Sequence, residues 1–228
     1  MQNVRSWSFD ETITNIFDEH VRQSVPSYEM LQSLICGIAQ FFIVEDGVVI
    51  DIGCSTGETI KQLKEANSKT FTAFGLDTSD SMLKKAEEKL SKIEGVHFLN
   101  EEITKVMLPK ADVIISCLTN PFISMDERKK HMNAMVNKLK TGGALIIVEK
   151  TYAKHAFHQD IFTQLHHDFK EEQGFSTEEI RYKDKSLRGV FRLSDAEGNK
   201  RFLENKGMLV EEFFRCLNFV GYVGVKQA

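Results

Sequence analysis

Between residues 48 and 150 the chain alternates short, almost wholly apolar runs with amphipathic stretches. The apolar runs are V-V-I-D-I (48–52), F-T-A-F-G-L-D (71–77), V-H-F-L (96–99), D-V-I-I-S-C (112–117) and A-L-I-I-V-E-K (144–150). They lack the every-other-residue polar pattern of a half-exposed sheet, so they predict strands buried on both faces. The segments around 80–92 and 126–140 have helical periodicity, with Met132, Met135, Val136 and Leu139 on one face. Strands alternating with helices imply parallel pairing and helices on both sides. The expected fold is therefore a doubly wound, mostly parallel α/β sheet of seven strands, Rossmann-like in its winding.

The flanks depart from this rhythm. Residues 10–44 read as two N-terminal helices broken at Ser24-Val25-Pro26-Ser27. After Thr151 a helical stretch over about 154–173 and another after Ser176 form an insertion (154–190), followed by a polar loop at 194–201. The block F-F-R-C-L-N-F-V-G-Y-V-G-V (213–225) is rich in β-formers and predicts the last strands of the same sheet. With no linker and no internal repeat, all 228 residues are expected to form one domain, long enough to bury a core without disulfides or metals.

A net charge of −4 leaves no basic field for clasping a phosphate backbone, so a small substrate is expected and direct nucleic-acid binding is not. The first residues lack the basic-then-apolar order of a signal peptide, and the apolar stretch Leu34 to Val44 is too short to span a bilayer. The chain reads as cytoplasmic. Cys36, Cys54, Cys117 and Cys216 have neither zinc-site nor disulfide-framework spacing and are expected as free thiols. His166, His167 and Asp168, with His155 and His158 nearby, suggest a metal site, but adjacent histidines on a helix point about 100° apart. No metal is expected.

The segment D-I-G-C-S-T-G (51–57) joins the first strand to its helix, where open α/β sheets bind ligands beyond the carboxyl ends of their strands. Gly53 and Gly57 permit close backbone approach, and Asp77, about twenty residues on at the end of the next strand, is placed for ribose hydroxyls. A dinucleotide site wants a glycine where Ser55 stands. The same letters satisfy the G-x-S-x-G nucleophile elbow with Ser55 as nucleophile, but the upstream strands of an α/β-hydrolase are missing. D-x-G-C-x-x-G followed by an acidic residue ending the second strand is the class I methyltransferase pattern, so the expected cofactor is S-adenosylmethionine. Asp51 would then orient its methionine end, Glu102 and Ile103 would meet the adenine, and Cys117 would sit beside the sulfonium.

Several segments narrow the resemblance further. F-D-E-H-V-R-Q-S-V-P-S-Y (17–28), the D-I-G-C-S turn, L-H-H-D-F-K with G-F-S-T-E-E-I (165–180) and F-F-R-C-L-N-F (213–219) resemble the bacterial carboxy-S-adenosyl-L-methionine synthases over most of the chain. That resemblance implies conversion of S-adenosylmethionine and prephenate to carboxy-S-adenosylmethionine and phenylpyruvate, for a partner that carboxymethylates a tRNA wobble uridine. It implies that Tyr28, Gly53, Cys54, Ser55, Asp77, Thr78, Glu102 and Ile103 line the cofactor site. The family usually has Asp at position 102 and Asn at position 117. It also implies an arginine for the cofactor's extra carboxylate, for which Arg201 is the nearest match and Arg192 the rival, and a homodimer, consistent with the aromatic content of the insertion (Phe157, Phe162, Phe169, Phe175). A methyltransferase of a small molecule and a non-catalytic adenosyl-binding subunit remain the alternatives.

Overall fold

The structure is a computed structural model and describes residues 11–228. Two helices, α1 (Glu11–Ser24) and α2 (Tyr28–Phe42), precede the alternating unit. That unit runs β1 (Gly47–Ile52), α3 (Glu58–Ala66), β2 (Phe71–Asp77), α4 (Asp80–Leu90), β3 (Val96–Asn100), β4 (Ala111–Cys117), α5 (Met125–Lys138) and β5 (Leu139–Tyr152). The inserted helices α6 (Ala156–Glu172) and α7 (Thr177–Leu187) follow, then β6 (Ser194–Asp195), α8 (Ala196–Glu204), β7 (Met208–Cys216) and β8 (Phe219–Lys226). The expected seven strands lie in the order β3-β2-β1-β4-β5-β8-β7, and β6 adds a short eighth beside the end of β5. Pairings from β3 to β5 are parallel; β8 is antiparallel to both its neighbours, so the sheet is mixed at one edge.

The apolar runs sort by alternation. Val49, Val113, Ile115, Ile146 and Val148 face one core with Leu31, Ile35, Ile60 and Leu63 from α2 and α3. Ile50, Ile52, Ile114, Leu145 and Ile147 face the other, with Met132, Met135 and Leu203 from α5 and α8. Successive side chains of a strand point to opposite faces, so a β-branched run with no polar alternation fills both layers. Parallel pairing then brings the carboxyl ends of β1, β2 and β4 to one edge.

The polar loop expected at 194–201 is instead β6 and the start of α8. Asp195 caps this helix, its carboxylate accepting from the Glu197 and Gly198 amides at 3.2 and 3.0 Å. Ala196 and Leu203, with Phe202 beside them, turn a narrow apolar face to the core and Asn199 reaches the buried Glu149, while Glu197, Arg201 and Glu204 face solvent, which makes the stretch read as polar. The final β-rich block divides into two strands at Leu217-Asn218, and β7 begins at Met208, five residues before the expected run. The 14-residue β5 likewise starts before the run 144–150, because Leu139 pairs with Ala111 ahead of a register shift.

Loss of the side-chain cap on α8 is expected to cost stability. Asp195→Ala should lower unfolding free energy by about 1 kcal/mol, the usual scale for an N-cap carboxylate. Urea denaturation that left the midpoint unchanged would mean the cap does not hold α8.

Candidate active site

At the end of β1 the chain turns sharply over the edges of its neighbours. The Gly53 and Cys54 amides both donate to the Leu76 carbonyl of β2, at 2.7 and 3.0 Å. On the other side the Thr119 hydroxyl, just past β4, donates to the Ile52 carbonyl at 2.8 Å. Gly53 has φ of +69°, and a Cβ there would lie 2.2 Å from Thr119 Oγ1. Only glycine fits both the backbone conformation and the space. Gly57, at φ +76°, serves packing instead: a Cβ would press on Leu90, Ala86 and Phe98 at 3.0 to 3.3 Å, and the residue does not line the cavity beyond the turn.

That cavity measures about 920 Å³, toward the upper end of small-molecule sites. Tyr28, Asp51, Gly53, Cys54, Ser55, Asp77, Thr78, Glu102, Ile103 and Cys117 all line it. Asp77 accepts from the Ser55 amide through Oδ2 and from the Ser79 amide through Oδ1, each at 2.9 Å. Burial raises its pKa, and backbone N–H groups of Ser79, Ser55 and Thr78 oppose the rise. The fixed carboxylate keeps lone pairs for a pair of ligand hydroxyls. Asp51 is more sharply poised: it is 2% exposed and its Oδ2 has no hydrogen-bond partner in the protein. Burial, with the Asp77 charge second, pushes its pKa up to about 7. A buried carboxylate oxygen left unpaired at the cavity wall wants a cation. A primary ammonium, such as the amino group of a methionine moiety, supplies one.

Several lining residues escaped the sequence reading. His131 of α5 is buried, its Nε2 without a partner, and burial lowers its pKa to about 4; with Ile103 it offers a neutral imidazole and an apolar wall to a base. The Glu102 side chain is half-exposed and paired with Lys105 at 2.9 Å. Gln32, 2% exposed on α2, donates through Nε2 to the Tyr28 hydroxyl at 3.0 Å and to Cys117 Sγ at 4.0 Å, while Oε1 accepts from Thr59 at 3.1 Å. Burial raises the thiol pKa of both Cys54 and Cys117, so neither is a ready nucleophile. The Ser55 hydroxyl donates to Met82 Sδ at 3.3 Å and not to an imidazole, unlike a hydrolase nucleophile. At the far end Lys150, Lys170, Lys183 and Arg188 also line the cavity.

Arg201 is not brought to this cavity. It lies on α8 with its side chain 65% exposed, 3.5 Å from the Asp195 carboxylate. Arg192 is exposed too; its amide donates to the Pro121 carbonyl and its carbonyl accepts from Arg128. Among the described residues no group of three His, Cys, Asp or Glu side chains could hold a metal. His166 turns inward to Lys150, whereas His167 meets Asp184 at 2.8 Å.

A family profile described as a methyltransferase domain matches residues 43–207. The fold recurs in a S-adenosylmethionine-dependent methyltransferase from Clostridium acetobutylicum, with a TM-score of 0.66 at 17% identity over 95% of this chain and 98% of that one. The protein is thus a member of the methyltransferase-domain class, with its ligand cavity at the carboxyl edge of the sheet. Within that class, a carboxy-S-adenosyl-L-methionine synthase of Staphylococcus epidermidis is 34% identical over 98% of this chain and 99% of its own length. The synthase of Erwinia tasmaniensis is 29% identical over 98% and 93% respectively. The chain belongs to the carboxy-S-adenosyl-L-methionine synthase family.

Two measurements test the acidic end. Asp77→Ala should weaken S-adenosylhomocysteine by roughly 1.5–3 kcal/mol, the scale of hydrogen bonds to a charged group, and unchanged calorimetric affinity in the folded variant would contradict it. Because an ammonium ligand favours the ionised carboxyl and the Asp51 pKa in the empty cavity is about 7, affinity should rise with pH up to that value and level off above it. Asp51→Asn should flatten this dependence.

Proposed function

We propose that this protein is a carboxy-S-adenosyl-L-methionine synthase that takes S-adenosylmethionine and prephenate to carboxy-S-adenosylmethionine and phenylpyruvate. Relatives of that name align with nearly the whole chain. The observation that carries the reading into chemistry is the continuity of the cavity: an acidic cradle suited to a cationic adenosyl ligand runs into a wall of lysines suited to carboxylates. Methyl transfer to a neutral acceptor would need only the first of these.

S-adenosylmethionine, when bound, supplies a methyl carbon acidified by its sulfonium; that carbon exchanges a proton for the CO2 lost from the prephenate ring, and the ring hydroxide leaves with the proton as water. The chain's own contribution is binding, orientation and exclusion of solvent. Asp51 pairs the ammonium, Asp77 accepts the ribose hydroxyls, and Ile103 and His131 flank the base. Gln32 fixes the Tyr28 hydroxyl against Cys117, where the reacting carbon would lie. The carboxylate that the resemblance assigns to an arginine would be met by cations that line the cavity and not by Arg201 on the outer face of α8.

The resemblance further supports a cytoplasmic homodimer that feeds a tRNA-carboxymethylating partner. Exposed apolar side chains on α2 (Met30, Leu34, Phe41) and α6 (Phe157, Ile161, Leu165) offer contact surface for a second copy. A monomer by light scattering at micromolar concentration would contradict the dimer. For the activity, incubation with S-adenosylmethionine and prephenate should yield a carboxylated adenosyl product by mass spectrometry, with phenylpyruvate in equal amount. Recovery of unmodified cofactor and intact prephenate would overturn the reading.

A further inference from the structure

Three elements bring ammonium groups to one end of the cavity: Lys150 from the end of β5, Lys170 from α6 and Lys183 from α7. Lys150 lies two residues past Val148, the β5 partner of Cys117, so this end opens directly beyond the Cys117 edge. We propose that Lys150, Lys170 and Lys183 form the seat for the two carboxylates of the second substrate, with His166 as the positioning residue for Lys150.

His166 lies one turn before Lys170 on the same face of α6. Its Nε2 is 2.9 Å from the Ser24 carbonyl, which can only accept, so Nε2 carries the proton and Nδ1 accepts from Lys150 Nζ at 3.1 Å. The lysine is further held 5.3 Å over the Phe219 ring. One Lys150 proton is thereby engaged and the others are left for a ligand. Asp184 of α7 faces the cluster, but its carboxylate also meets His167 Nε2 at 2.8 Å. Among the described residues the cluster is also faced by His20 of α1 and His166, whose pKa values burial lowers to about 4 and about 3, leaving both neutral, by His167, and by Arg188 at the end of α7. Neither Lys150 nor Lys170 forms an ion pair among the described residues. Lys150 and Lys170 thus face a carboxylate that His167 already engages, and their charge at this end of the cavity suits a ligand that carries carboxylates. Cations drawn out of solvent without an ion pair of their own, as Lys150 and Lys170 are, mark a ligand site better than a structural one.

The same crowding supports proton uptake on binding. Burial, then the Lys170 charge, lowers Lys150 to about 8 and Lys183 to about 6, and Lys170 is lowered by burial as well. A dianion restores the protonated forms, so its affinity is highest at low pH and declines as pH rises through these values. The acidic end has the opposite dependence, so the two ligands are separable by pH alone.

The assignment rests on the proposed reaction for the identity of the dianion, and the test separates the two. Prephenate and malate are titrated calorimetrically into protein loaded with S-adenosylhomocysteine. From about pH 6 to about pH 9 prephenate affinity should fall by about tenfold or more, and Lys150→Gln, Lys170→Gln and Lys183→Gln should each weaken it about tenfold while S-adenosylhomocysteine affinity stays within about twofold. Lys170→Arg and Lys183→Arg keep the charge and should retain binding, which covers a Gln variant that fails to fold. His166→Leu should reproduce the Lys150→Gln loss and shift the pH profile. Lysine-dependent binding of malate but not prephenate supports the seat and overturns the proposed reaction. Prephenate affinity that is independent of pH and of all three lysines, or no dicarboxylate binding at all, overturns the seat.

Discussion

The turn that follows β1 must cross in front of two parallel neighbours while leaving room for a ligand, and backbone geometry there dominates the rest of the architecture. With φ at +69° and Thr119 packed where a Cβ would stand, Gly53 can send its amide, and that of Cys54, into the Leu76 carbonyl. Ser55, itself at φ +51°, then aims its amide at Asp77. A side chain at position 53 would move Thr119, and with it the hydroxyl that ties β4 to the Ile52 carbonyl. The strand ends, the acidic cradle and the entry to α3 are thus set by one short stretch of chain. The non-glycine positive φ at Ser55 is tolerated because its amide and hydroxyl are both engaged, by Asp77 and Met82.

The pleat of β5 performs a second division. Glu149 and Lys150 are adjacent and so face opposite sides of the sheet. Glu149 is 1% exposed and collects Ser194 Oγ at 2.9 Å, Asn199 Nδ2 at 2.7 Å and the Asn120 amide. This buried carboxylate holds β6 and α8 against the strand and steadies the chain just beyond β4. Lys150 opens on the other side toward α6 and the cavity. One strand end therefore anchors the later part of the chain on one face and places a cation on the other, which explains why two charged residues close an otherwise apolar run.

Legibility followed locality. The first five strands and their winding were readable because apolar runs and helical periods are local patterns, and the Gly53 turn with Asp77 because its spacing is fixed by one strand–helix–strand unit. Gln32, His131 and the three lysines were not, since each reaches the cavity only through tertiary packing: α2 over β4 and β5, α5 against β5, and the insertion brought to the end of β5 where His166 meets Lys150. Lys170 lies inside the H-H-D-F-K segment whose distinctiveness was visible, but without the fold its direction was not. Arg201 illustrates the converse. A charge chosen by spacing in a stretch read as loop turned out to be on a helix, and helical geometry directed it to Asp195 and solvent. The missed helix and the unforeseen direction of this arginine have the same cause, a narrow apolar face of Ala196 and Leu203 diluted by polar letters.

Opposite charge at the two ends of the cavity gives the site an orientation rule. Asp51 and Asp77 repel a dicarboxylate from the adenosyl cradle as strongly as they attract an ammonium, and the lysines do the reverse to a sulfonium. Because both sets are partly withdrawn from water, Asp51 and Lys170 most fully, these preferences are larger than the same charges would produce on a surface. On the proposed reaction a cationic ligand and a dianionic one would therefore be sorted to their own ends before any close contact, and their reacting atoms would meet in the uncharged middle, among Tyr28, Gln32 and Cys117. There burial raises the Tyr28 hydroxyl and the Cys117 thiol, so both stay protonated and neutral. A neutral, water-poor centre between charged ends strengthens the pull of a sulfonium on its neighbouring carbon and offers no competing nucleophile.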